Sequence, residues 1–188
     1  MVEPSARAEQ ILNAALEQAE SSGWEAIRLY QVASTLAISL DEVKACYPQK
    51  DDLVEAWFDR ADSAVLSNKA SSEFARLTPR ERLHQVIMLW FLSMSEHRRV
   101  TRQMLYYKFE FGHIHLQVLG LLRISRTVQW FREAALLKAE NFHRIVEEVC
   151  ITGIYLCSFA RWLFDESEKS RSTSRNLQRA LKCVRSLD

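Results

Sequence analysis

"ISLDEVKACYPQKDDLVEAW", residues 38–57, reads as a short capped helix, a forced stop and a longer second helix. Ser39 and Glu42 stand at the S-x-x-E spacing of a capping box, which satisfies amide groups that a helix leaves open at its start. Pro48 must end that helix, because proline has no amide hydrogen and its ring blocks the preceding turn, so the spacing predicts a helix over Leu40–Tyr47. Lys50, Asp51 and Asp52 open the next one, predicted over residues 50–68. The acids favour its positive N-terminal dipole, and Leu53, Trp57, Ala61 and Val65 form its apolar stripe.

Upstream, "SARAEQILNAALEQAESSG" puts Ile11, Leu12, Ala15, Leu16 and Ala19 on one helical face and ends at Gly23, a residue suited to a left-handed cap. "RLYQVASTLA" gives a shorter helix with Leu29, Val32, Ala33 and Leu36 inward, and the turn "AIS" joins it to the capped helix. Downstream, "SNKASSEFARL" reads as a linker. Thr78, Pro79 and Glu81 then start a helix carrying Leu83, Val86, Ile87, Trp90, Phe91 and Met94. Further helices are predicted over Arg99–Tyr107, His113–Ala135 and Asn141–Phe164, with "DESEKSRSTS" as a polar connection to a last one over Arg175–Leu187.

The 188 residues are 48% hydrophobic with only 4 Gly and 3 Pro, which favours an all-helical fold. No apolar run reaches membrane-spanning length and "MVEPSARAEQ" lacks the features of a secretion signal, so a cytoplasmic protein is expected. Cys46, Cys150, Cys157 and Cys183 show no zinc-type spacing and are expected to be reduced, mostly packed thiols. Charge is uneven along the chain. Residues 1–60 hold five bases against eleven acids, residues 61–130 ten against five, and residues 131–188 ten against eight.

Helix, short helix, turn and short capped helix is the layout of a helix-turn-helix, whose second element lies in the major groove. The chain resembles the TetR family of bacterial transcriptional regulators over its whole length. "ILNAALEQAESSGWEAIRLYQVA" matches the family's first two helices and glycine turn, "LAIS" its turn, and "YPQKDDLVEAW" its aromatic-Pro-x-Lys-acid-x-Leu entry to helix 4. The resemblance implies an all-α fold of about nine helices. Residues 1–49 would form the DNA-binding head, and residues 50–188 a helical ligand-binding and dimerisation domain connected through helix 50–68.

It further implies a homodimer bound to double-stranded operator DNA and responding, as a repressor, to a small apolar or anionic ligand. The matching DNA-binding positions are Arg28, Ser39, Leu40, Lys44, Tyr47 and Lys50, with Lys50 at the family's phosphate-contacting lysine. A pocket would be lined from Trp57, Trp90, Met94, Met104, Tyr107, Leu116 and Leu119, and a dimer interface from Val149, Tyr155, Phe159, Trp162, Leu177 and Leu181. Apolar positions at helical spacing can equally fill a monomer's core.

The chain departs from the family where it should read DNA. Ala37 replaces the usual turn glycine, and Asp41 and Glu42 lead a helix that continues with Val43, Lys44, Ala45 and Cys46. Phosphate contacts need cations, and the head offers few. An alternative is therefore a TetR-fold protein that keeps an apolar ligand and has lost DNA binding, as in the mitochondrial lipid-binding protein of ubiquinone biosynthesis. "SSGWEA" and "EHRRVTRQMLYYKFE" with "RISRTVQWFREAA" are loosely similar to that protein in helix order and tryptophan placement.

The cluster Arg98, Arg99, Arg102, Arg123 and Arg126 suits an anionic ligand, or ion pairs with acids such as Glu96 and Glu110. His113 and His115 would point about 200° apart on a helix and do not make a metal site. With no GxSxG, GxGxxG or phosphate-cradling glycine loop, no catalysis, metal or cofactor is expected.

Overall fold

The computed structural model describes residues 4–67, 71–109 and 114–184, and the side chains of 6–67, 71–107 and 122–184. The described residues form ten α-helices and no strand, in two compact units. The first unit takes in Met1–Arg60 and Glu96–Gly112. The second takes in Ala61–Ser95 and His113–Asp188.

In the first unit, α1 (Pro4–Ser22), α2 (Leu29–Thr35), α3 (Leu40–Cys46), the start of α4 (Lys50–Leu66) and α7 (Arg98–Phe109) surround one core. Ile11, Leu12, Leu16, Val32, Val43 and Leu53 are completely buried, as the 3.6-residue pattern predicts. Leu29 and Leu36 are only half-buried, because α2 is too short to sink its end positions. Gly23 takes φ 84°, the left-handed cap that glycine accepts without penalty.

The second unit holds α5 (Ser72–Arg76), α6 (Pro79–Ser93), α8 (Ile114–Ala134), α9 (Asn141–Trp162), α10 (Arg171–Leu181) and the last residues of α4. α5 lies inside the stretch read as a linker. Its cause is local, since the Ser71 hydroxyl accepts from the Phe74 amide and caps a single turn. Trp90 meets Phe131, Tyr155 and Phe159 edge-on, while Phe91 stacks near-parallel with Tyr155, Phe159 and Trp162.

α10 begins at Arg171, four residues before the predicted start, because Asp165 organises the connection. Its carboxylate accepts from the amides and hydroxyls of Ser167 and Thr173 at 2.5–2.9 Å. Burial pushes this acid up, but the four donated hydrogen bonds outweigh it and hold the carboxyl well below the usual range.

The expectation of packed thiols is corrected: Cys46 is half-buried, but Cys150, Cys157 and Cys183 are exposed, all four unpaired. Among the described residues no helix is long and apolar enough to cross a membrane.

Candidate nucleic-acid interface

The turn between α2 and α3 is held by the Ile38 amide donating to the Ala33 carbonyl and that of Ala37 to Ser34. Ala37 takes φ 52°, a left-handed conformation costly for an L-residue. Ser39 then caps α3. Its hydroxyl accepts from the Glu42 amide and its own amide donates to the Glu42 carboxylate. The Ser39 amide first, and then its hydroxyl, donate to the Glu42 carboxylate and lower its pKa, and Arg7 lies 3.6 Å from the same carboxylate. Glu42 is thus turned back towards its own cap.

Val43 is the only buried residue of α3, which leaves Leu40, Asp41, Lys44 and Ala45 exposed. Arg28, exposed at the N-cap of α2, donates to the carbonyls of Glu25 and Ile27. Tyr47 turns inward, its hydroxyl donating to the Ala8 carbonyl at 3.1 Å. Burial, followed by the nearby Glu9, pushes its phenol up to about 12. Of the six sequence-selected residues, Arg28, Ser39, Leu40 and Lys44 lie on the surface, Lys50 is half-buried and Tyr47 belongs to the core.

Lys50 Nζ lies 5.2 Å from the ring centre of Trp24 and 5.1 Å from that of Tyr107, and donates to the Glu25 carbonyl at 3.2 Å. Burial, then the charge of Arg28, lowers its pKa.

The same helix that supplies Tyr107 fastens the head at other points. Gln103 accepts from the Trp24 amide at 2.8 Å, Thr101 accepts from the Trp57 indole at 2.8 Å, and Arg99 donates to Glu20, beside which His97 also sits. Gln103, Thr101 and Glu20 were not singled out from the sequence, since polar positions on an amphipathic helix carry no periodic signal of a distant partner.

The seven pocket candidates are spread along the chain. Trp57, Met104 and Tyr107 belong to the first unit and Trp90 and Met94 to the second, with Trp57, Met104, Trp90 and Met94 at most 2% exposed. The side chains of Leu116 and Leu119 lie outside the described residues, as do those of Glu110, His113 and His115. No group of three or more metal-ligating side chains occurs among the described residues.

A polar hub unseen in the sequence stands inside the second unit. The Asp62 carboxylate accepts from the Trp90 indole at 2.7 Å, from Arg123 at 2.9 Å and from the Thr127 hydroxyl at 3.2 Å, all buried. Arg123 thus pairs with Asp62, and Arg99 with Glu20, instead of with Glu96.

Five of the six interface candidates, Tyr155, Phe159, Trp162, Leu177 and Leu181, are buried within the single chain, and Val149 is 67% exposed. α9 has a second apolar face. Phe142, Ile145, Val149 and Leu156 are exposed at helical spacing, beside an open cleft of about 350 Å³ whose lining includes Gly153, Cys157 and Ala180.

The chain is similar to a TetR transcriptional regulator from Nitrosomonas europaea, with 44% identity and a TM-score of 0.83 over 94% of this chain and 97% of that one. It is similar in fold to a TetR transcriptional regulator from Rhodococcus sp. RHA1, at 16% identity and TM-score 0.71, covering 98% of both chains. A bacterial regulatory protein of the TetR family from Rhodococcus RHA1 matches at 17% identity and TM-score 0.53, also over 98% of both. No family model and no curated protein matches the chain. An identity of 44% sustained over nearly the full length of both chains places this protein in the TetR family of transcriptional regulators.

Proposed function

We propose that the protein is a homodimeric, ligand-responsive repressor that binds operator DNA through α3. The observation that carries DNA binding is the exposure of α3, which buries Val43 alone and leaves Leu40 and Asp41 exposed at its capped start and Lys44 exposed in its last turn. Arg28 and Lys44 are the surface cations nearest in sequence to that helix, and Ser39 and Leu40 stand at its start.

The second copy would dock on the outer face of α9 at Val149 and Leu156, since an apolar stripe of this length at helical spacing suits a helix-pair interface. Tyr155, Phe159 and Trp162 would stiffen that helix from inside. The aromatic second unit suits a small apolar ligand, whose binding would relieve repression in the cytoplasm. No catalytic role is proposed.

The test is fluorescence anisotropy with the protein's own upstream promoter DNA at low and near-physiological salt, with unrelated DNA as competitor and sedimentation for the oligomeric state. Specific binding by a dimer supports the proposal, and no binding even at low salt overturns it. A second reading, an apolar-ligand protein of this fold without DNA binding, is favoured by the engagement of Lys50 with Trp24 and Tyr107 and by the exposed Asp41. It predicts no DNA binding and a lipid-like molecule carried through purification.

A further inference from the structure

Lys50 opens α4 directly after α3 and Pro48, beside the exposed Arg28, yet its ammonium is occupied on three sides. The faces of Trp24 and Tyr107 lie at 5.2 and 5.1 Å, and the Glu25 carbonyl accepts a hydrogen bond. Two of these partners, Trp24 and Glu25, come from the turn before α2, while Tyr107 comes from α7. Tyr107 is therefore the one part of the cage that movement of α7 alone could withdraw. A cation between two ring faces loses that attraction when one ring leaves, and bulk water or a phosphate then competes for it.

We propose that Tyr107 is a positioning residue that holds the Lys50 ammonium back from DNA phosphate, so that withdrawing Tyr107 adds one phosphate contact per subunit. This rests on the DNA-binding function proposed above. The partner recognised is the phosphodiester backbone, so the gain is independent of sequence. Tyr107→Leu removes the ring face, whereas Tyr107→Phe keeps a face that attracts a cation and serves as the conservative control.

Two measurements test the proposal, each on the full-length protein with its thermal melting recorded. The first is NMR of 13C-lysine-labelled protein, in which ring currents from Trp24 and Tyr107 should shift the Lys50 ε protons upfield. Tyr107→Leu should move that signal towards the free-lysine position and Tyr107→Phe should not. The second is anisotropy with promoter DNA between 50 and 200 mM salt. With two extra contacts per dimer, Tyr107→Leu should lose about tenfold more affinity than wild type over that range, and Lys50→Ala in the same background should cancel the difference.

An unshifted Lys50 signal in the wild type overturns the cage itself. A signal released by Tyr107→Leu without a steeper salt dependence, in a protein that binds DNA, overturns the withholding role. If neither form binds DNA, the failure lies in the proposed DNA binding, while the NMR shift reports the cage on its own.

Discussion

Asp62→Ala should be among the most damaging single changes in the second unit, and its cost can be worked from the contacts. The Asp62 and Arg123 side chains are 6% and 8% exposed, and the carboxylate also serves the Trp90 indole and the Thr127 hydroxyl. Removing it takes the carboxylate partner from a buried guanidinium, a loss of about 3–5 kcal/mol. Asp62→Asn keeps an oxygen for Trp90 but removes the charge partner, and should cost about 2–3 kcal/mol. Adding Arg123→Met to Asp62→Ala removes the other charge of the pair and leaves only the bonds from the indole and the Thr127 hydroxyl to Asp62 lost, so the double mutant should lose only about 1–3 kcal/mol. Urea unfolding followed by tryptophan fluorescence reads all three. The decisive comparison is between Asp62→Ala and the double mutant. If the double mutant is as unstable as the single one or worse, the loss comes from packing and the account of a broken ion pair is refuted.

Ala37→Gly should raise the urea midpoint by the equivalent of about 0.5–1 kcal/mol, because φ 52° strains alanine more than ordering glycine costs; an unchanged or lower midpoint counts against strain in the turn. Asp165 has a folded pKa below its unfolded value, so its stabilisation is present above the unfolded value and is lost as pH falls through the folded one. Thermal melting from pH 6 to pH 3 should therefore fall less steeply in Asp165→Asn than in wild type, and parallel curves would exclude this acid as a contributor. Val149→Glu should shift sedimentation from dimer to monomer, since the residue is 67% exposed in the protomer; a wild-type dimer that survives the charge would move the interface elsewhere. Asp41→Lys with Glu42→Gln should strengthen non-specific DNA binding and steepen its salt dependence, with a loss of about 1 kcal/mol from the weakened cap; a folded double mutant with unaltered binding would place α3 away from DNA.

Local chemistry was legible and long-range pairing was not. Ile11 to Ala19, the Ser39 and Thr78 capping boxes and the stop at Pro48 follow from spacings of a few residues, and the structure has each of them. The start of α10 was missed because an acid at Asp165 reads as part of a polar loop until its four donors are seen around it. The hub at Asp62 and the cage at Lys50 join residues far apart in the chain, and no periodicity announces such meetings. α9 shows a third kind of limit. It is apolar on two faces, so hydrophobicity marks both Tyr155 and Val149 without telling which faces the protomer core.

The acidic head is less hostile to DNA than its charge count suggests, because much of that charge is spent internally. Glu42 is tied to Ser39 and lies near Arg7, Glu9 pairs with Arg60 at 2.6 Å, and Glu20 pairs with Arg99. The same pairs consume bases, leaving Arg28 and Lys44 as the exposed cations beside α3. In the proposed dimer, two such heads would make about four phosphate contacts, for which counterion release gives a salt slope near −3.6. Freeing Lys50 in both subunits raises the count to about six and the slope to near −5.4. An affinity resting on so few cations is weak at physiological salt, and for that reason one lysine per subunit can change it by a large factor. A head rich in phosphate contacts would scarcely register the same withdrawal of Tyr107, so the poverty of bases around α3 is what would make the Lys50 cage an effective control.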